Sequence, residues 1–354
     1  MRFIFRRLLR IVARFVLTLV VITVLLYGSV MLTPAETRAT LYMPKNTSPR
    51  MTEEKWQELL EKMIERYELN APFHVQYLHW LGRLVQGNWG YSPTLQEDVF
   101  SVIIRRTPAT AELTLLAFLI FIPLGLLSGV VAASKKNRAP DHAFRLAAFV
   151  ATSLPPMIFA ILLMVIFYID LYWFAPGRLG TALQPLVSSA EFKQYTGFLT
   201  IDGLLNHVPQ VSVDALRHLA MPALTLAIAQ WSILGRLTRA LVIEESQQEY
   251  VAAARARGLP ERKVMWNHAL RNALPPLITN SMLSAATMLT GIFVVEILFN
   301  IPGVSSIAVK SMAYVPDAPA ALGFAIYSVV VVLLLMSVLD LIQVWADPRL
   351  RWSS

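Results

Sequence analysis

The sequence predicts an all-α polytopic membrane protein with six transmembrane helices. Three observations carry this. The 354 residues are 56% hydrophobic and 15% charged, against roughly 25% charged in soluble domains. Apolar runs near the ~20 residues needed to span a bilayer recur along the chain. Basic residues gather in short polar intervals, 18 of the 31 falling where inward loops are expected. The net charge of +8 therefore points to membrane topology and not to nucleic-acid binding. The chain has no cysteine, which excludes a disulfide scaffold and a thiolate metal site.

Residues 1–33 open with Arg2, Arg6, Arg7, Arg10 and Arg14, followed by an apolar run from Phe15 to Leu32. That run exceeds the ~7–15 residues of a signal-peptide core, and no small-x-small cleavage site follows it. It is expected to be an uncleaved first span with an inward N-terminus. Residues 34–108 form a polar insertion. Thr52 can cap a helix that starts with Glu53 and Glu54. Trp56, Leu59, Leu60, Met63, Ile64 and Tyr67 make an amphipathic stripe, broken at Asn70-Ala71-Pro72. A second amphipathic piece covers 73–85. With nine basic and nine acidic residues between Glu36 and Arg106, the insertion has no positive bias and is expected outside.

The second span is expected over 109–133, with Glu112 near its outer end in a hydrated or capping role. Lys135, Lys136 and Arg138 mark a short inward loop. The apolar stretch from Leu146 to Phe174 is interrupted by Pro155-Pro156, which predicts a kink or break with most of the span after it. Residues 175–215 form a second outer loop. The fourth span is expected over 216–237, the fifth over 277–298 and the sixth over 322–345. Both termini then lie inside. The domain reading is an N-terminal basic segment and first span (1–33), an external helical insertion (34–108), and a core with five spans (109–354).

The longest polar interval of the C-terminal half runs from Gln247 to Pro276, within a loop taken as 238–276. Ala252, Ala253, Ala254 and Ala256 favour helix. Gly258 suits a left-handed helix end, and Pro260 suits the first position of a second helix. Val264, Met265 and Leu270 fall on one side of that helix, Arg262, Lys263 and Asn267 on another. The expected element is a helix–Gly–helix hairpin whose small-residue surface buries nothing by itself and packs on a partner.

Its pattern is Glu249-Tyr250-Val251, then Ala253-Ala254-Arg255-Ala256-Arg257-Gly258-Leu259, then His268-Ala269-Leu270-Arg271-Asn272-Ala273-Leu274-Pro275. This resembles the coupling loop of binding-protein-dependent ABC importer permeases of the dipeptide/oligopeptide/nickel subgroup. Ala252 stands where the wider superfamily has Glu. Further likenesses are Pro72, Gln76, Tyr77, Trp80 and Leu81 before a Gly87-Asn88-Trp89-Gly90-Tyr91-Ser92 turn, the string from Leu216 to Leu226, Glu296 to Gly303, and Asp347-Pro348-Arg349. Asn88 replaces the usual Asp.

The resemblance implies a type I ABC importer permease fold in a prokaryotic cytoplasmic (inner) membrane. It implies a second homologous permease, two ABC ATPase subunits and an external solute-binding protein as partners, beside membrane lipid. Glu249, Tyr250, Ala253, Ala254, Arg255, Ala256, Gly258 and Leu259 would engage the ATPase. Ser281, Ser284, Thr287 and Glu296 are the candidates for a translocation path; helix packing is the other reading of the small-residue face, and a structural hydrogen bond the other reading of Glu296. Di- or oligopeptides are the first substrate class implied, with nickel chelates and oligosaccharides open.

No cofactor is expected on this chain. It has no Gly-Lys pair, hence no phosphate-cradling loop, so ATP would be bound by partner subunits. No His-Glu-x-x-His and no Gly-x-Ser-x-Gly occur, so no metal or catalytic residue is assigned. A self-sufficient channel or secondary transporter is the alternative. It would need broken helices or buried charges repeated in two halves.

Overall fold

The computed structural model describes residues 2–39, 42, 52–313 and 317–346. The Asp347-Pro348-Arg349 tail lies outside them. Among the described residues, four helices are long and apolar enough to cross a membrane, or up to six spans if each of two bent pairs counts as one. The chain divides into two compact units, residues 1–107 with 303–337, and residues 108–302 with 338–354.

In the first unit, α1 (Arg2–Val30), α2 (Ala35–Ala39), α3 (Glu53–Arg66) and α4 (Phe73–Val85) are followed by a two-residue hairpin of β1 (Tyr91–Ser92) and β2 (Glu97–Asp98). The amphipathic stripe of α3 turns inward as its periodicity requires, with Met63 buried. Thr52 does hold the N-cap position, but its side chain makes no capping bond. The Gln76-Tyr77-x-x-Trp80 run is the buried face of α4. Gln76 donates to the carbonyls of Leu69 (2.8 Å) and Ala71 (2.6 Å) and accepts from Arg38 at 2.8 Å. It thereby reads out the α3–α4 turn. Trp80 stacks on Tyr27 of α1 at 4.9 Å, and Tyr77 shares a 2.9 Å hydrogen bond with Thr23. The motif residues are thus framework, holding the insertion to the end of α1.

The second unit contains most of α5 (Val99–Ser134), then α6 (Ala139–Ser153), α7 (Pro156–Leu163) with a π-helical continuation over Met164–Asp170, α8 (Gln184–Val187), α9 (Leu199–Leu205), α10 (Pro209–Glu245), α11 (Glu249–Ala256), α12 (Glu261–Lys263), a π-helical turn over Val264–Ala269, and α13 (Leu270–Leu298). α14 (Ser305–Ala313) and α15 (Ala318–Ala346) are the last of the described helices. Ala117, Phe121, Leu219, Leu226, Leu234, Ile292 and Val295 are among the core residues of this unit.

Several boundaries differ from the sequence reading. α5 starts ten residues before the expected 109, because the polar Arg105 and Arg106 are served within the fold. Arg105 pairs with Glu97 at 2.6 Å, and Arg106 donates to Ser306. The break expected at Pro155-Pro156 is present between α6 and α7, but the helix divides evenly about it and does not lie mostly after it. The two arms have fifteen residues each and are bent by 103° at Leu154-Pro155. Each arm spans only ~22 Å, so neither alone crosses a ~30 Å hydrocarbon core. The fifth helical run starts at Leu270 with Pro275 and Pro276 inside it.

α5, α6 and α10 lock together through small residues and a few polar ties. Trp231 Nε1 donates to Ser128 Oγ at 3.0 Å, and Thr152 meets Ser232 at 2.9 Å. Gly129 is where α5 and α10 come closest. A Cβ there would lie 2.5 Å from the Thr238 Cβ and 2.7 Å from the Gly235 carbonyl oxygen. Gly129→Ala is therefore expected to cost ~1–3 kcal/mol by forcing the helices apart. A lowered midpoint of thermal inactivation in detergent would show this; an unchanged midpoint would contradict the close approach.

Candidate functional site

The hairpin after α10 is built as the sequence demands, with one difference in how it packs. α11 ends at Ala256, and Gly258 takes φ +75°, a left-handed backbone that glycine alone adopts without strain. Pro260, expected as the first helical residue, is instead the N-cap, extended at ψ 140°, and Glu261 begins α12. The hairpin is not without its own interior. Val251, Ala254 and Val264 are fully buried on one another, with Leu259 packed against them.

Polar contacts fix the hairpin to the end of α10. The Arg255 guanidinium donates to both carboxylate oxygens of Glu261, at 2.8 and 3.1 Å, and to the Ser246 carbonyl at 2.9 Å. Half-exposed pairs of this kind contribute only ~0.2–1 kcal/mol, so the role of Arg255 is geometric: it ties the hairpin's end to its start. The Tyr250 hydroxyl donates to Glu245. Burial, then the Glu245 carboxylate, raises the Tyr250 pKa above its ordinary value, which keeps the phenol neutral and donating.

Outward, the hairpin shows a row of alanine methyl groups among longer polar side chains. Glu249, Tyr250, Ala252, Ala253, Arg255, Ala256, Arg257 and Gly258 are exposed, while Ala254 faces inward and Leu259 is half-buried. Of the eight residues expected at the ATPase, Glu249, Tyr250, Ala253, Arg255, Ala256 and Gly258 are accessible. Tyr250 and Arg255 also brace the hairpin, and Ala254 and Leu259 support it from beneath. Where only Ala252, Ala253, Ala256 and Gly258 stand outward, a partner's backbone can come close.

The four residues proposed for a path do not share one face. Ser284 is 5% and Glu296 1% exposed, Ser281 is half-buried, and Thr287 points outward. The Glu296 carboxylate accepts the Thr110 hydroxyl at 2.5 Å, joining α13 to α5.

Sequence reasoning missed the second cluster of this unit. Glu112, expected to be hydrated or capping, is 4% exposed and organises the outer loop. Its Oε2 accepts from Arg178 Nη2 at 2.6 Å, and its Oε1 accepts the Thr200 amide at 2.8 Å. Thr200 is the second residue of α9, so Glu112 does cap a helix, one 88 residues away. Asp202, fully buried, accepts the Thr196 and Gly197 amides, each at 2.9 Å. A lone acid in an apolar run signals such an anchor, but its partners lie too far along the chain to be named from spacing.

Residues 105–352 match the family model described as binding-protein-dependent transport system inner membrane component. The chain is 32% identical over 331 residues to the di/tripeptide transport system permease protein DppB of Pseudomonas aeruginosa, covering 93% of this chain and 94% of that one. It is 35% identical over 297 residues to the probable D,D-dipeptide transport system permease protein DdpB of Escherichia coli K12, covering 82% and 84%. It is 31% identical over 293 residues to the oligopeptide transport system permease protein AppB of Bacillus subtilis, covering 82% and 85%. Among solved structures, a chain of the inward-facing MetNI methionine ABC transporter aligns with 75% of this chain and 97% of its own, at TM-score 0.46 and 14% identity. The match over 105–352, the relatives aligned along nearly their whole length and the helical, span-bearing fold agree: the chain belongs to the family of inner-membrane components of binding-protein-dependent transport systems.

Proposed function

We propose that this chain conducts di- or oligopeptides as one of two permease subunits in an ATP-driven importer. A second homologous permease completes the path. Two ATPase subunits grip the paired hairpins from the cytoplasm, and an external solute-binding protein delivers the substrate. Both termini are cytoplasmic, residues 34–108 form a cap on the outer face, and residues 109–354 form the core. ATP binding and hydrolysis belong to the partners. The relatives' peptide substrates support the substrate class.

The observation that carries this reading is the exposed row of alanine methyl groups on α11, tied to the end of α10 by Arg255. Closure of two ATPases would draw two such rows together. Ser284 and Glu296, inward on α13, are the path candidates that can respond to movement of that helix. Thr287, facing outward, would meet lipid or the second permease.

The cysteine-free chain gives a direct test. Single replacements Ala253→Cys and Arg257→Cys are expected to react with a membrane-impermeant maleimide only in inside-out vesicles. Ala253→Cys is expected to be shielded once the ATPase subunits bind. Labelling from the outer side, or peptide uptake by this chain in vesicles without ATPase, would overturn the assignment.

A further inference from the structure

A cleft of about 590 Å³ lies beside the hairpin, lined by Leu127, Pro260, Arg262, Lys263, Trp266 and Asn267. Arg262 and Lys263 are exposed, and among the described residues neither is paired with a carboxylate. Trp266, half-buried, and Leu127 line the same cleft. Positions 262 and 266, and 263 and 267, are four apart, which places the cations and the Trp–Asn pair on one side. Trp266 and Asn267 belong to the π-helical turn Val264–Ala269.

Leu127 is not an isolated apolar residue. Leu124, Leu127 and Val131 of α5 are all 44–48% exposed and, three and four residues apart, share one face. They run ~10 Å along the helix, about a third of a ~30 Å hydrocarbon core. This apolar stripe adjoins a cleft whose two cations have no carboxylate partner among the described residues, beside an indole. The indole has the amphipathic character that places Trp at membrane–water boundaries. Basic clefts beside spans at the inner surface suit anionic headgroups.

We propose that this cleft holds the phosphate headgroup of an anionic phospholipid from the inner leaflet, with its acyl chains along the α5 stripe. Arg262 and Lys263 bind the phosphate, Trp266 sets the depth, and Asn267 donates to a headgroup or ester oxygen. The site lies against the second half of the hairpin, so the lipid would abut the element proposed to take the ATPase. The assignment rests on the inward orientation of the hairpin, which the maleimide experiment tests separately.

The test uses the assembled transporter in nanodiscs, with a benzoylphenylalanine in place of Asn267. In phosphatidylglycerol discs, illumination is expected to capture that lipid; in phosphatidylcholine discs, capture should be weak. Arg262→Gln/Lys263→Gln should lower phosphatidylglycerol retention after detergent exchange by about 30-fold, the effect of two surface cations. Lys135→Gln/Lys136→Gln, on the neighbouring inward loop, should leave retention unchanged. Equal capture of the two lipids, equal loss in both double variants, or competition by excess inorganic phosphate would overturn the proposal. So would crosslinking to the ATPase or the second permease in place of lipid. The photolabel keeps native Arg262 and Lys263, so the test survives poor folding of the double variant.

Discussion

Gly258→Pro is expected to abolish peptide uptake and substrate-stimulated ATP hydrolysis while the chain still inserts and pairs with its partner permease. Proline fixes φ near −65°, and residue 258 sits at +75°. Proline also removes the amide that donates to the Arg255 carbonyl at 2.9 Å. Together these exceed ~3 kcal/mol. The hairpin's own interior consists of Val251, Ala254, Val264 and part of Leu259, too small to absorb that cost. The damage stays local, because the main core of the unit lies among α5, α10 and α13. Gly258→Ala keeps the amide and meets only the left-handed penalty of ~1–2 kcal/mol, so it should retain partial coupling. Ala253→Trp should match the proline variant by a different route, blocking the alanine row without unfolding it. Measured in proteoliposomes against basal ATPase activity, normal stimulation in either Gly258→Pro or Ala253→Trp would remove the coupling role.

Asp141→Ala should have the largest effect on stability, ~3–5 kcal/mol, by leaving a guanidinium without its carboxylate. Asp141 is fully buried on α6. Its two oxygens accept from Arg239 Nε at 2.6 Å and Nη2 at 2.8 Å, and Oδ2 also accepts the Asn137 amide at 2.9 Å. That bidentate pair joins α6 to α10 across 98 residues of chain. The reference state matters here. Replacing both partners by apolar residues is often neutral, whereas removing one strands a charge. Asp141→Leu/Arg239→Met should therefore recover most of what Asp141→Ala loses. Survival of folded protein through a detergent temperature ramp reads both. If the double variant were as unstable as the single one, packing and not the stranded charge would be the cause.

The hairpin was the most legible part of the chain, because Gly258 and the alanine run act through local backbone rules. The Pro155-Pro156 break was legible for the same reason, although its 103° angle was not, since an angle depends on what each arm packs against. Ala254 could not be told from Ala253 by sequence, yet one faces inward and the other outward. Glu112 was legible as a capping residue but not the helix it caps, which starts at Leu199, and the Asp141 tie to Arg239 was unreadable because its donor lies 98 residues away. The α5 start was misplaced for the converse reason: Arg105 and Arg106 look like a boundary until Glu97 and Ser306 are seen to receive them.

The two sides of the hairpin are attached with different stiffness. Toward α10, the Arg255–Ser246 bond leaves no slack. Toward α13 stands the wide turn Val264–Ala269, and beyond it Pro275 and Pro276 deprive the Arg271 and Asn272 carbonyls of their usual donors. A displacement imposed on the hairpin would therefore meet a stiffer link toward α10 than toward α13.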